Sequence, residues 1–188
     1  MTASDAMNAS NPSAADVVNF WREAGPERWF RKDAAFDTLF RERFAAAHEA
    51  AANGELAGWQ NSAEGALALL ILLDQYPRNS FRGTARMFAT DALAVAIADA
   101  AIASGFDRAV GDDMQRFFYL PFMHSERLSD QDLSVELYGA LGGDGLRYAE
   151  IHRDAIARFG RFPHRNPLLG RAMTVEEQKY LDEGGFAG

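Results

Sequence analysis

The segment at residues 66–82 decides the fold, and it reads Ala-Leu-Ala-Leu-Leu-Ile-Leu-Leu-Asp-Gln-Tyr-Pro-Arg-Asn-Ser-Phe-Arg. Its first eight residues are apolar, and polar residues follow abruptly from Asp74. On a helical wheel at about 100° per residue, apolar side chains lie on nearly all sides, which is typical of a buried helix. We therefore expect Asp74 to be buried as well, and a buried carboxylate requires a partner. Pro77 has no amide hydrogen and is predicted to end the helix.

The composition restricts the class of protein and its partners. The chain has 188 residues, of which 48% are hydrophobic and 24% charged, as expected for a globular protein with one substantial core. It has no cysteine, which excludes disulfides, thiolate catalysis and cysteine-ligated metals. The net charge of −8 argues against nucleic acid as a partner. No signal-like leader and no apolar run of ~20 residues is present, so we expect a cytoplasmic protein that does not bind a membrane.

Helical periodicity and helix caps recur along the chain, whereas alternating strand patterns and hairpin turns do not. We predict an all-α fold of about eight helices, with residues 1–12 as a disordered tail and residues 13–188 as one helical domain. Ser13, Asp33, Ser62, Thr90, Ser129 and Thr174 are predicted to cap helices. The predicted helices cover residues 14–24, 34–52, 63–76, 91–104, 112–120, 130–141, 146–159 and 175–183, and a short helical piece covers residues 85–88.

Polar residues interrupt the apolar segments at four places. If the helices pack as hairpins, these residues converge on one cleft with apolar walls and a few oriented polar groups, which is the usual form of a binding site. The candidate site residues are Asp74, Gln75 and Arg78; His124 and Glu126; His152; and Arg161, His164 and Arg165.

The leading functional hypothesis is a binding module for a small anionic ligand or an acidic peptide end. Arg78, Arg161 and Arg165 would bind the anion through charge-assisted hydrogen bonds. Asp74 and Glu126 would orient the basic groups.

Two alternatives come from other functional classes. A hydrolase-type enzyme would use His152 or His124 as general base, oriented by Asp74 or Glu126. A scaffold that binds a protein partner would instead use the polar groups as a structural network, in which Asp74 pairs with Arg78 one turn later.

A metal site is the weakest of the possibilities. The three histidines at positions 124, 152 and 164, together with a carboxylate, are chemically suited to a transition metal. Their spacings match no metal-binding signature, so we predict no metal and no cofactor.

Three motifs, at residues 72–82, 118–126 and 152–166, resemble a bacterial family catalogued as domain of unknown function 924. Thr-Val-Glu-Glu at 174–177 is similar to the start of that family's last helix, and the resemblance extends over about residues 16–183. It implies a tetratricopeptide-like fold of stacked antiparallel helical hairpins, although no 34-residue repeat is visible in this sequence. It implies no activity.

Overall fold

The computed structural model describes residues 12–188, and these residues form helices and connecting turns without any β-strand. The predicted disordered tail therefore lies almost entirely outside the described residues. The all-α prediction is confirmed. The helices are α1 (Ala14–Ala24), α2 (Pro26–Trp29), α3 (Ala34–Ala52), α4 (Ala63–Leu70), α5 (Tyr76–Ser80), α6 (Asp91–Ala103), α7 (Asp112–His124), α8 (Leu128–Leu141), α9 (Gly145–Phe159) and α10 (Val175–Asp182). Short 3-10 turns lie at Ala57–Asn61, Ala85–Phe88, Phe106–Arg108 and Pro163–Arg165.

The apolar segment that begins in α4 is the centre of the core, as its sequence predicts. Every residue from 65 to 77 is buried, and α1, α6 and α7 all pack against α4. Later in the chain, α7 packs on α6, α8 on α7, and α9 on α8. This succession of neighbouring helices is compatible with the predicted stacking of hairpins.

Most helix ends lie where the caps predict them. Ser13 and Thr174 each form a capping box with the acidic residue three positions later, and the side chains of Asp33 and Ser62 accept hydrogen bonds from the first turns of α3 and α4. Gly160 ends α9 in the left-handed conformation, with a φ of 68°. Ser129 is not a cap, because α8 begins one residue earlier, at Leu128.

The predicted helix end at Pro77 is wrong. After α4 the helix widens into a π turn at Ile71–Gln75, in which the N–H of Tyr76 bonds to the carbonyl of Ile71 five residues before it. Pro77 then occupies the first turn of α5, where a missing N–H is tolerated. Pro121 likewise does not interrupt its helix, since α7 continues through it to His124.

Side chains replace the hydrogen bonds that Pro77 cannot make. The carbonyls of Leu72 and Leu73 lie five and four residues before Pro77, so neither receives an N–H from it. Nδ1 of His48 donates to the Leu72 carbonyl at 2.9 Å, and Oγ1 of Thr90 donates to the Leu73 carbonyl at 2.5 Å. Thr90 is therefore not a side-chain cap of α6, contrary to the sequence prediction.

Leu39 of α3 and Tyr148 of α9 are exposed although neighbouring residues of both helices are buried. Leu39 is 54% exposed because the buried face of α3 is centred on Phe40, about 100° away around the helix. Tyr148 is 57% exposed, at the border of a buried face of α9 that carries His152 and Ala155.

Replacement of Thr90 by valine tests whether the π turn depends on its side-chain donors. Thr90→Val leaves the Leu73 carbonyl without this donor, and we expect a loss of about 1–3 kcal/mol in the free energy of unfolding, measured with urea. Thr84→Val is the matched control, because the Thr84 hydroxyl donates to a carbonyl at an exposed site. We expect that change to stay within about 0.5 kcal/mol. Equal losses in the two variants would contradict this role of Thr90.

Candidate binding cleft

A cleft of about 630 Å³ lies between α6, the C-terminal end of α7, the first part of α8 and the loop that follows α9. Its walls include the apolar side chains of Phe88, Val95, Phe122 and Leu133. The charged and titratable residues that line it are Asp91, Asp99, His124, Glu126, Arg127, Asp130 and Arg165.

An aspartate–histidine pair lies at the edge of this cleft. Nδ1 of His124 is 2.8 Å from Oδ1 of Asp74, whose side chain is almost completely buried. Because an ionised carboxylate only accepts hydrogen bonds, Nδ1 carries the proton and Nε2 is the acceptor nitrogen of the ring. Nε2 makes no hydrogen bond to any residue between 12 and 188, and the His124 side chain lines the cleft.

The protonation states of this pair follow from its surroundings. Burial by itself raises the pKa of Asp74, but the positive charge of Arg78, 3.1 Å away, and the contact with His124 lower it to about 2. Gln75 donates a further hydrogen bond to the same carboxylate, at 2.6 Å. Burial lowers the pKa of His124, and the nearby Arg78 lowers it further, against the opposing effect of Asp74. At pH 7 the aspartate is therefore ionised and the imidazole is neutral.

Asp91 is a member of the site that the sequence analysis missed. Arg78 donates to its two carboxylate oxygens at 2.9 and 3.1 Å, and Arg165 donates to it at 3.2 Å. An acidic residue in the first turn is common in helices of any kind, so the position of Asp91 at the start of α6 gave no sign of this role.

Arg165 connects the loop after α9 to the end of α7. Its Nη2 donates to the His124 carbonyl at 3.0 Å. Its guanidinium lies over the rings of Phe88 and Phe162, 4.4 and 4.5 Å from their centroids. Burial lowers the pKa of Arg165 to about 10, so the side chain stays charged at pH 7.

Glu126 holds the loop at residues 161–171 against the end of α7. It accepts a hydrogen bond from the N–H of Phe162 at 2.8 Å and two from Arg171 at 2.7 and 2.9 Å. Burial alone raises the pKa of Glu126, but the hydrogen bonds from Arg171 and Phe162 and the charges of Arg171 and Arg165 together lower it. Arg171 is a second partner that the sequence analysis missed.

Arg161 lies outside this cleft. It donates two hydrogen bonds to Glu177, at 2.6 and 2.9 Å, and one to the Ala172 carbonyl. Together with Arg158 and Thr174 it lines a separate cavity of about 370 Å³ at the start of α10.

His152 and His164 belong to a small aromatic core behind the cleft. Nδ1 of His152 donates to the Tyr148 carbonyl at 2.7 Å, and its ring lies against Phe186 and 6.2 Å from His124. Burial lowers the pKa of His152 to about 3 and that of His164 to about 4. Within the described chain, no group of three or more histidines or carboxylates is arranged to hold a metal ion.

The structure thus brings part of the predicted set together and separates the rest. Asp74, Gln75, Arg78, His124 and Arg165 form one network that is completed by Asp91. Glu126 lines the same cleft. The others, which are His152, His164 and Arg161, lie behind or beside it.

Comparison with known proteins places the chain in a family. A family model described as a bacterial protein of unknown function, DUF924, matches residues 17–185. The chain belongs to this family. The resemblance seen in the sequence motifs is therefore confirmed. Comparison with curated proteins finds no match.

A solved structure of a protein of unknown function from Agrobacterium tumefaciens, ATU0120, is similar to this DUF924 chain. The two sequences are 57% identical, and the match covers 91% of this chain and 97% of the other, with a TM-score of 0.89. Within residues 12–188 of this chain, no helix is long and apolar enough to cross a membrane.

Replacement of Asp74 by asparagine tests the charge pairing at the site. Asp74→Asn leaves the partly buried Arg78 with one carboxylate fewer, and we expect a loss of about 3–5 kcal/mol in unfolding free energy at pH 7. The pKa of Asp74 is about 2 in the folded protein and about 3.9 in an unfolded chain. Its contribution is therefore complete above about pH 4 and is lost as the pH falls through about 2.

Urea unfolding of both proteins at pH 7, 5 and 3 measures this difference. The gap in unfolding free energy between wild type and variant should narrow at pH 3, because Asp74 is then largely protonated in the unfolded chain but still ionised in the folded protein. Asp154→Asn, at an exposed position of α9, is the control and should change stability by no more than about 0.5 kcal/mol. A gap that stays constant with pH would contradict the proposed ionisation of Asp74.

Proposed function

We propose that the cleft binds a small molecule and that Nε2 of His124 accepts a hydrogen bond from it. The observation that carries this proposal is the 2.8 Å contact between Nδ1 of His124 and Oδ1 of Asp74, at a histidine whose side chain lines the cleft. Because the carboxylate accepts from Nδ1–H, Nε2 remains as an acceptor. A concave site with apolar walls and a few oriented polar groups is the usual form of a small-molecule site.

The π turn supports a functional role for this region. π turns are rare, and they are found frequently at functional sites. This one contains Asp74 and requires donors from His48 and Thr90 to satisfy its carbonyls. The chain therefore maintains an irregular helix at the point where the aspartate reaches His124.

The pairing of the arginines decides between types of ligand. The sequence predicts an anionic ligand or acidic peptide end, bound by Arg78, Arg161 and Arg165. In the fold, Arg78 and Arg165 both donate to Asp91, and Arg161 donates to Glu177. An anion has to compete with these internal carboxylates for the same donors. The geometry therefore favours a ligand that donates a hydrogen bond over one that only accepts.

Catalysis is the second candidate function, and the same Asp74–His124 pair favours it. A neutral imidazole with Nδ1–H held by a carboxylate is the arrangement of a general base, and Nε2 is then free to take a proton from a hydroxyl or a water. The neighbouring hydroxyl of Ser125 donates to Asp130 at 2.6 Å. Water, rather than Ser125, would therefore be the nucleophile of a hydrolase built on this pair.

Replacement of His124 by asparagine separates the two functions of the imidazole, which are donation to Asp74 by Nδ1 and acceptance from a ligand by Nε2. Asparagine keeps an N–H near the position of Nδ1 for Asp74 but has no counterpart of Nε2. We screen wild type by thermal unfolding against alcohols, amines, carboxylates, phosphorylated metabolites and short peptides. A ligand at 100 times its dissociation constant adds ~2.7 kcal/mol, which raises Tm by roughly 5–10 °C for a domain of this size. His124→Asn should remain folded and lose that rise.

Arg161→Ala is the matched control, because Arg161 lies at the other cavity. This variant should keep the ligand-induced rise in Tm. A panel without any hit on wild type, or a rise that persists in His124→Asn, would contradict the proposal. A panel without any hit would favour the alternative of a protein-binding scaffold whose polar network only stabilises the fold. Loss of the rise in Arg161→Ala alone would move the binding site to the start of α10.

A further inference from the structure

The charges around the cleft are balanced with one exception. The side chain of Asp99 lines the cleft, and it makes no ion pair or hydrogen bond with any residue from 12 to 188. All other carboxylates of the site have an arginine partner. Asp74 and Asp91 are paired with Arg78 and Arg165, Glu126 with Arg171, and Asp130 with Arg127.

Asp99 lies further along the α6 wall of the cleft than Asp91. It follows Asp91 by eight residues on α6, which corresponds to about 12 Å along the helix axis. Asp91 is close to His124, since Arg165 donates to the Asp91 carboxylate and to the His124 carbonyl. The cleft therefore has a hydrogen-bond acceptor at one end and an unpaired carboxylate at the other.

The side chains on α6 between these two ends are small and apolar. Ala92 and Ala96 lie on α6 between Asp91 and Asp99, and both are exposed in the cleft. Methyl side chains leave room for the body of a ligand to lie along the helix. The neighbouring walls are formed by the larger apolar residues of the cleft.

Arg127 does not neutralise the Asp99 end. Its guanidinium donates two hydrogen bonds to Asp130, both at 2.8 Å. The hydrogen bond to Asp130 raises the pKa of Arg127, and the negative charge of Asp99 raises it further. Among the described residues no hydrogen bond or ion pair joins Arg127 to Asp99, so the charge of Asp99 is not offset and the cleft has an excess negative charge.

We propose that the ligand of this cleft is an elongated cationic amine, with its ammonium group beside Asp99, its apolar body over Ala92 and Ala96, and a hydroxyl or second N–H that donates to His124. The proposal rests on the binding function proposed above and adds the charge and shape of the ligand. It reverses the sign of the ligand charge predicted from the sequence, because the arginines are occupied and Asp99 is not.

Three probes with the same eight-carbon chain and a hydroxyl at one end test this inference: 8-aminooctan-1-ol, octane-1,8-diol and 8-hydroxyoctanoate. They carry a cation, no charge and an anion at the other end, and the extended chain matches the spacing of the two ends of the cleft. Titrations followed by the backbone amide signals of α6 and α7 in NMR spectra give the three dissociation constants. We expect the amine to bind about two- to fivefold more tightly than the diol, as for an exposed charge pair. The carboxylate should bind most weakly.

Asp99→Asn should raise the dissociation constant of the amine to that of the diol and leave the diol unchanged. Asp154→Asn, an exposed aspartate of α9 outside the cleft, is the control and should change neither. The advantage of the amine should also shrink at high salt, because exposed charges are screened.

The results separate failure of this inference from failure of the binding function. Tightest binding by the carboxylate, or an advantage of the amine that survives Asp99→Asn, overturns the cationic ligand while the cleft remains a binding site. If each probe has the same dissociation constant for wild type and for His124→Asn, the proposed role of His124 is overturned. Absence of binding by all three probes overturns the elongated cationic ligand, whereas the binding function itself is overturned only by the absence of any hit in the ligand panel described above.

Discussion

The buried carboxylate of Asp74 is the interaction on which the rest of the site depends. It accepts hydrogen bonds from Gln75 in the π turn and from His124 at the end of α7, and it pairs with Arg78 in α5. Arg78 extends the network to Asp91 in α6, and Asp91 extends it to the loop after α9. Ions lose much solvation energy on burial, and only complete pairing offsets that loss. The network therefore fixes helices that are distant in sequence, and removal of one charge leaves another uncompensated.

The same residues serve the fold and form the candidate site. The π turn moves carbonyls out of regular pairing, and donors from α3 and from the start of α6 satisfy them. Asp74 in that turn orients His124, and this orientation leaves Nε2 at the cleft. A structural network and a binding site were alternative interpretations of the sequence. In the structure they are compatible, because the structural hydrogen bond of His124 uses one ring nitrogen and a ligand uses the other.

Local patterns in the sequence predicted the helical class, most helix ends and the burial of Asp74, because caps and apolar periodicity act within a few residues. They failed at Pro77 and Pro121, where packing of the surrounding helices overrides the local preference. They also failed to find Asp91 and Arg171, whose partners lie 13 to 74 residues away and leave no local signal. Arg161 and Arg165 belong to one loop, yet only Arg165, at the end of the 3-10 turn Pro163–Arg165, lines the cleft.

The most direct test of the central claim is the ¹⁵N NMR measurement of the His124 ring at pH 7, assigned by the loss of its signals in His124→Asn. The account predicts a protonated Nδ1 and an unprotonated Nε2, because Asp74 accepts from Nδ1 and the pKa of His124 is lowered. This neutral form should persist below pH 6.5, the ordinary pKa of histidine. A ring protonated on Nε2 alone, or on both nitrogens at pH 7, would contradict the account, since the cleft would then have no acceptor nitrogen.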